Sequence, residues 1–249
     1  DEQAARFLLH AQIAASDEDI ASVRSLGYEG WLESQFALPP GETTWDWLEQ
    51  RGYGTVDRQQ YYNGGHPYFE LAANRQLFTT PDALRKRIQV TLTEYFVVSV
   101  SGTLIPWPHF AYATYWDGLG SHAFGNFRDL LEHVTLCVAM GIYLNTAGNQ
   151  KEDPATGRVP DENYAREVMQ LFTIGLYELA PDGSLRLDAQ GRPMETYRAD
   201  DVTQLARVFT GYDLDRSGPM FQSLVGNQQL PTHPYTRRPM RFDASRHST

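Results

Sequence analysis

DENYAREVMQLFTIG, Asp161–Gly175, reads as one helix and decides the fold. Pro160 suits a first turn, where its missing N–H costs nothing. Asp161 and Glu162 place negative charge at the positive end of the helix dipole. Gly175 is a natural stop, because only glycine enters the left-handed conformation there without penalty. Tyr164, Val168, Leu171 and Phe172 recur at helical spacing and predict a core-facing side. Asn163, Arg166, Glu167 and Gln170 form a second, polar stripe. Such a stripe is either solvated surface, a buried network, or a set of groups that binds a polar ligand.

Outward from this stretch the chain keeps a helical period. Toward the N-terminus, Asp1–Ala15 predicts a helix with Ala5, Leu8, Leu9 and Ile13 inward. Ser16 caps Asp17–Leu26, Gly27 ends it, and Tyr28–Leu38 continues. Thr44–Arg51 presents Trp45, Trp47 and Leu48. Gly52–Pro67 (GYGTVDRQQYYNGGHP) reads as a polar loop of the kind that carries binding. Tyr68–Phe78 is helical. Thr80 and Pro81 open a helix with Leu84, Ile88, Leu92, Tyr95 and Phe96 on one face, and that helix turns apolar toward Val100. Thr103–His109 is a loop holding Trp107 between two prolines. Phe110–Leu119 follows, and Asn126 caps a helix with Asp129 at its third position. Beyond the opening stretch, Leu185–Leu187 and Met194–Tyr197 are candidates for a short strand pair. Asp201–Phe209 is the last clear helix and is expected to pack beside Asp161–Gly175. The stretch 213–249 shows no period and reads as an irregular tail. The sum is a mainly α fold: a single helical domain over 1–249, of about eight to ten helices, with at most a small β-hairpin.

These residues also resemble a known family. The stretch Asp161–Gly175 is similar to the signature of the bacterial family catalogued as domain of unknown function 1800. So is the pattern Tyr197, Asp201-Val202, Ala206-Arg207 and Thr210-Gly211, with Tyr212 where the family usually has Trp. Arg85–Ser101, His122–Leu144 and the opening Ala4–Ala15 share the likeness. No activity comes with it. The resemblance implies export, to the periplasm or outside the cell. It also implies a longer parent protein, because the closing stretch resembles a mid-protein segment; the C-terminal remainder is then an expected partner.

Composition narrows the chemistry. Net charge is −10 with pI near 5.1, which opposes general nucleic-acid binding, since phosphate contacts need clustered cations. Mean hydropathy is −0.46, and no apolar run reaches the roughly 20 residues of a membrane span. Hydrophobic residues make up 41% of the 249, enough for a sizeable core. The only lysines are Lys86 and Lys151, so a Schiff-base mechanism has two candidates. The lone cysteine, Cys137, excludes an internal disulfide framework and suits a buried thiol.

No metal motif is present. His122 and His133 are interrupted by Gly125 and the cap at Asn126. The acidic turns Asp182-Gly-Ser and Asp188-Ala-Gln-Gly admit calcium but lack EF-hand spacing. No cofactor is expected beyond that. There is no nucleophile elbow and no phosphate loop. Carboxylate chemistry is left. Glu167 is the candidate acid/base, with Arg166 and Asn163 beside it. Gln170, Trp107, His109, Trp116 and Arg207 are candidate ligand-binding groups, since flat aromatics with polar tips suit sugars. A hydrolase of an extracellular, polysaccharide-like polymer is one expectation. A non-catalytic binding or assembly protein of the cell envelope, taking a small polar ligand, is another, and a cofactor-bearing oxidoreductase is a third. In the non-catalytic alternative, Glu167, Arg166 and Arg207 form a buried network tying two helices.

Overall fold

The computed structural model describes residues 1–64, 66–100 and 105–249, and the main chain alone at His66. Expectations for Gly65 and for Ser101–Leu104, including the start of the Thr103–His109 loop, lie outside the described residues. Among the described residues the protein is mainly α, with eleven helices and two two-stranded sheets. By its contacts the chain divides into two compact units. The first holds Asp1–Ala139 and Arg216–Arg238; the second holds Met140–Asp215 and Pro239–Thr249.

The first unit begins with α1 (Glu2–Ala11) and α2 (Asp17–Ala37). Ser16 caps α2 as the sequence implies, with Asp19 completing a reciprocal capping box. Gly27 is non-helical, at φ 73° and ψ 173°, so α2 is two helical pieces joined at a kink there, as the glycine stop implies. Ala4, Leu8, Val23, Trp31 and Leu84 form one core cluster. Leu9, expected inward, is exposed, because Ala4 and Leu8 define the buried side of α1.

α3 (Thr44–Gln50), α4 (Gln59–Asn63) and α5 (His66–Thr79) follow. α4 corrects the reading of Gly52–Pro67 as polar loop: Tyr61 and Tyr62 turn inward and are buried. Burial of aromatic area outweighs the polar composition around them. α6 (Ala83–Tyr95) starts after Asp82 rather than at Pro81, and it ends before the β-branched run at Val97. α7 (Pro108–Ser121) is the most buried helix, and α8 (Phe127–Leu136) is capped by Asn126 through the Asp129 N–H. Trp107 precedes α7 at φ 60°. Its Nε1 donates to the Pro231 carbonyl at 2.9 Å, and Tyr235 Oη donates to the Pro106 carbonyl at 2.9 Å. A residue with a side chain is rarely left-handed, and these two bonds hold the turn. Strands β2 (Met220–Gln222) and β3 (Gln229–Pro231) pair antiparallel in the same unit.

The boundary between units falls inside α9 (Val138–Tyr143). In the second unit, α10 (Asn163–Glu167) runs directly into a π-turn, Val168–Phe172, and α11 (Ala199–Val208) packs on α10. Ala165, Val202 and Ala206 make the contact. β1 (Tyr212–Asp213) pairs antiparallel with β4 (Arg241–Phe242). The stretch read as an irregular tail therefore contains short strands and two 3-10 turns.

The two segments expected to pair after Gly175 do meet, at an antiparallel bridge between Leu187 and Pro193, and a third segment, residues 177–179, bridges to both. Glu178 N–H bonds the Met194 carbonyl, Met194 N–H the Arg186 carbonyl, and Arg186 N–H the Glu178 carbonyl, each at 2.9 Å. Each segment is too short for a ladder, so the three satisfy one another in a ring.

Candidate functional site

The segment Asp161–Gly175 is not one uniform helix. Its α-helical part begins at Asn163, two residues later than Pro160 and Asp161 suggest. Asp161 still acts at its start: Oδ1 accepts the Asn163 N–H at 2.8 Å, an orphan donor of the first turn. The π-turn after Glu167 then shifts the face by a fraction of a turn. Tyr164 and Phe172 stay buried, while Leu171, expected in the core, is turned out. Thr173 Oγ1 donates to the Val168 carbonyl at 2.5 Å, and Gly175 N–H to the Met169 carbonyl at 2.9 Å with φ 73°. The predicted glycine stop is thus in place.

The polar stripe is taken apart by its own contacts. Arg166 reaches back four residues to Glu162 at 2.9 Å, half-exposed. Glu162 also accepts from Thr203 Oγ1 at 2.7 Å, which ties α10 to α11. The helix-to-helix link expected of Glu167, Arg166 and Arg207 therefore runs through Glu162. Arg207 points to another set: Nη2 pairs with Glu152 at 3.0 Å, and Nε donates to Ser248 Oγ at 2.7 Å. Glu167 and Gln170 are half-buried. Among the described residues no side chain bonds Glu167.

Polar groups converge instead one step upstream. Asn145 takes a left-handed conformation at φ 62°, which asparagine tolerates better than most residues. That turn carries its amide to Asp161, whose Oδ2 accepts from Asn145 Nδ2 at 3.2 Å. Asn149 brackets the same residue. Its Oδ1 accepts the Asp161 N–H at 2.9 Å and its Nδ2 donates to the Asp161 carbonyl at 3.2 Å. These residues, with Gln150 and Arg158, line a concave site of about 270 Å³. Among the described residues Arg158 bonds only through Nε, to the Lys151 carbonyl at 3.0 Å, and the side chain is exposed. Sequence reading missed Asn145, Asn149 and Arg158 because they sit in a loop without period. The one available signal was the run of short polar residues ahead of a helix start.

The other expected residues belong to the first unit and are core. Trp107 and His109 are fully buried and Trp116 nearly so. His109 Nε2 lies 3.1 Å from the Tyr53 carbonyl, and Trp116 Nε1 donates to Gln76 Oε1 at 2.8 Å. The loop aromatics Trp45, Trp47, Tyr61, Tyr62 and Tyr115 are buried with them. Cys137 is buried.

That unit contains a second concentration of charge, inside the helices. α6 buries Arg85, Lys86 and Gln89 beside the fully buried Asp82. Asp82 Oδ2 lies 3.6 Å from Arg85 Nε and 3.7 Å from Lys86 Nζ, and accepts the Gly41 N–H at 3.2 Å. Arg85 donates to the Gly120 and Leu38 carbonyls. Gln89 donates to the Trp116 carbonyl at 2.6 Å. Burial holds the Lys86 ammonium below its ordinary range despite two nearby aspartates. On α7, Asp117 accepts the Thr44 and Trp45 N–H groups at 2.9 Å each, placing its charge on the N-terminus of α3. Burial still raises its carboxyl to about 6. His133 stacks on His122, ring centroids 5.1 Å apart, and sits against Gly118. Burial lowers it to about 4, with His122 adding to the effect.

Among the described residues no group of three or more His, Cys, Asp or Glu is placed to hold a metal ion. The acidic turns are Asx turns: Asp182 Oδ1 accepts from Ser184 N and Oγ, and Asp188 Oδ1 from the Gln190 and Arg192 N–H groups. No helix among the described residues is long and apolar enough to cross a membrane. No curated protein and no solved structure matches the chain. The family described as "Protein of unknown function (DUF1800)" matches residues 6–249, and the chain belongs to that family.

Proposed function

We propose that the protein is a binding protein of the bacterial cell envelope, secreted or periplasmic, which takes a polar group of an extracellular polymer in the Asn145–Asp161 site. The supporting observation is the guanidinium of Arg158, open at both terminal nitrogens, on a concave site of about 270 Å³ that also holds the Asn145, Asn149 and Gln150 amides, the Asp161 carboxylate and Val159. Side-chain amides with fixed orientation and a planar multi-donor group suit hydroxyl, carbonyl and acetamido oxygens. The volume suits one sugar-sized ring. The envelope location rests on the family resemblance. Titrating the chain with short neutral and N-acetylated oligosaccharides, followed by amide NMR, tests the proposal. Saturable shifts at Asn145, Asn149 and Arg158 support it; no saturable shift with any of them refutes it.

A second reading keeps Glu167 as a hydrolytic acid/base. Its support is the position of this half-buried carboxylate at the α-to-π transition, a feature found disproportionately at functional sites. Glu167→Gln should then abolish polymer cleavage while leaving the melting temperature unchanged.

A further inference from the structure

We infer that the first unit carries a separate site for a peptide segment, one that offers a backbone amide and an apolar side chain. The site is a pocket of about 400 Å³ between the α1–α2 turn and the α5–α6 turn, with Gln12, Ile13, Asp19, Gln35, Leu77 and Phe78 among its walls.

Its two glutamines are oriented by the protein. Gln12 is buried, and its Nε2 donates to the Ala14 carbonyl and to Asp19 Oδ2 at 3.0 Å. Both amide hydrogens are used, so the amide cannot be flipped, and Oε1 is left as an acceptor. Gln35 is held the opposite way. Its Oε1 accepts the Leu84 N–H near the start of α6 at 3.2 Å, which leaves the Nε2 hydrogens as donors. Gln12 and Gln35 therefore present one fixed acceptor and one fixed donor. That pair is complementary to the N–H and C=O of a secondary amide.

The rest of the wall is mixed, with Ile13, Leu77 and Phe78 apolar and Ser16, Asp19, Thr79 and Thr80 polar. Ile13 and Leu77 are partly buried, and the Phe78 ring is 70% exposed. An aromatic ring left that open beside a pocket favours an apolar side chain over it. Asp19 accepts Ser16 N–H and Oγ–H as well as Gln12, so its charge is occupied but still repels anions. The ligand is then a neutral or cationic peptide rather than an acidic one.

The test titrates acetyl-alanyl-leucyl-alanine amide into the 249-residue chain and follows backbone and methyl NMR signals. Saturable shifts confined to Gln12, Ile13, Gln35 and Phe78 are expected. A probe N-methylated at leucine lacks the N–H for Gln12 and should bind about tenfold more weakly, the worth of one hydrogen bond. Phe78→Ala, chosen because the exposed ring contributes little to folding, should weaken the parent probe several-fold with an unchanged melt. Absence of saturable shifts at millimolar probe overturns the inference. Equal affinity for the N-methyl probe, or no effect of Phe78→Ala, overturns it as well.

Discussion

The two polar centres use similar residue types in opposite ways. In the first unit, Asp82, Arg85, Lys86 and Gln89 are almost wholly removed from water. In the second, Glu162, Arg166, Glu152 and Arg207 keep a third to a half of their side chains exposed. Removing one member of a buried charge pair strands the other, so the first centre is intolerant of change. Solvated pairs cost little and contribute little, so the second centre tolerates change. The difference teaches that the same residue types hold the fold rigidly when buried and only loosely when solvated.

The sharpest way to break the comparison is to remove one partner in each centre. Asp82→Ala strands two buried cations and should cost about 3–5 kcal/mol. A chemical melt that moves by less than 1 kcal/mol would place Asp82 in water. Phe172→Ala, in the core of the second unit, should cost about the same 3–5 kcal/mol through the cavity it leaves. A near-zero change would show that the π-turn does not direct that ring inward.

The next effect is in pH. His133 binds fewer protons folded than unfolded between its ordinary 6.5 and about 4. Its stabilising contribution is complete above 6.5 and is lost as pH falls to 4, by on the order of 3 kcal/mol. Asp117, raised from 3.8 to about 6, has the opposite sign. The folded state holds its proton more tightly, so its contribution grows as pH falls through the same window. The two contributions oppose each other over this window. His133→Gln should reveal the Asp117 slope, with stability rising on acidification. A variant whose stability instead falls over that range would refute the assignment of Asp117. Smallest of all, Arg166→Ala should change stability by at most about 0.5 kcal/mol, as expected of an exposed i, i+4 pair.

Much of the helical order was legible because it rests on local chemistry. Ser16, Gly27, Asn126 and Gly175 act where their side chains or their freedom of φ predict. Element faces were less legible. The π-turn at Val168–Phe172 has no signature in a period of 3.6, so Leu171 was read inward. α6 was read as apolar on its buried side, whereas Arg85, Lys86 and Gln89 are buried through partners remote in sequence: Leu38, Gly120 and Trp116. Tyr61 and Tyr62 were hidden by the polar composition around them. The candidate site was half legible: the stretch 161–175 lies beside it, but the groups that line it are Asn145, Asn149 and Arg158, brought to Asp161 by a left-handed turn that no period encodes.

The most direct test compares Arg158→Ala with Glu167→Gln in one oligosaccharide titration, with product formation monitored in parallel. Removal of the open guanidinium should weaken binding about tenfold or more, while Glu167→Gln binds as the parent does and no cleavage is seen with either. Loss of binding or turnover in Glu167→Gln, with Arg158→Ala unaffected, would contradict the account and return function to the stripe on the helix.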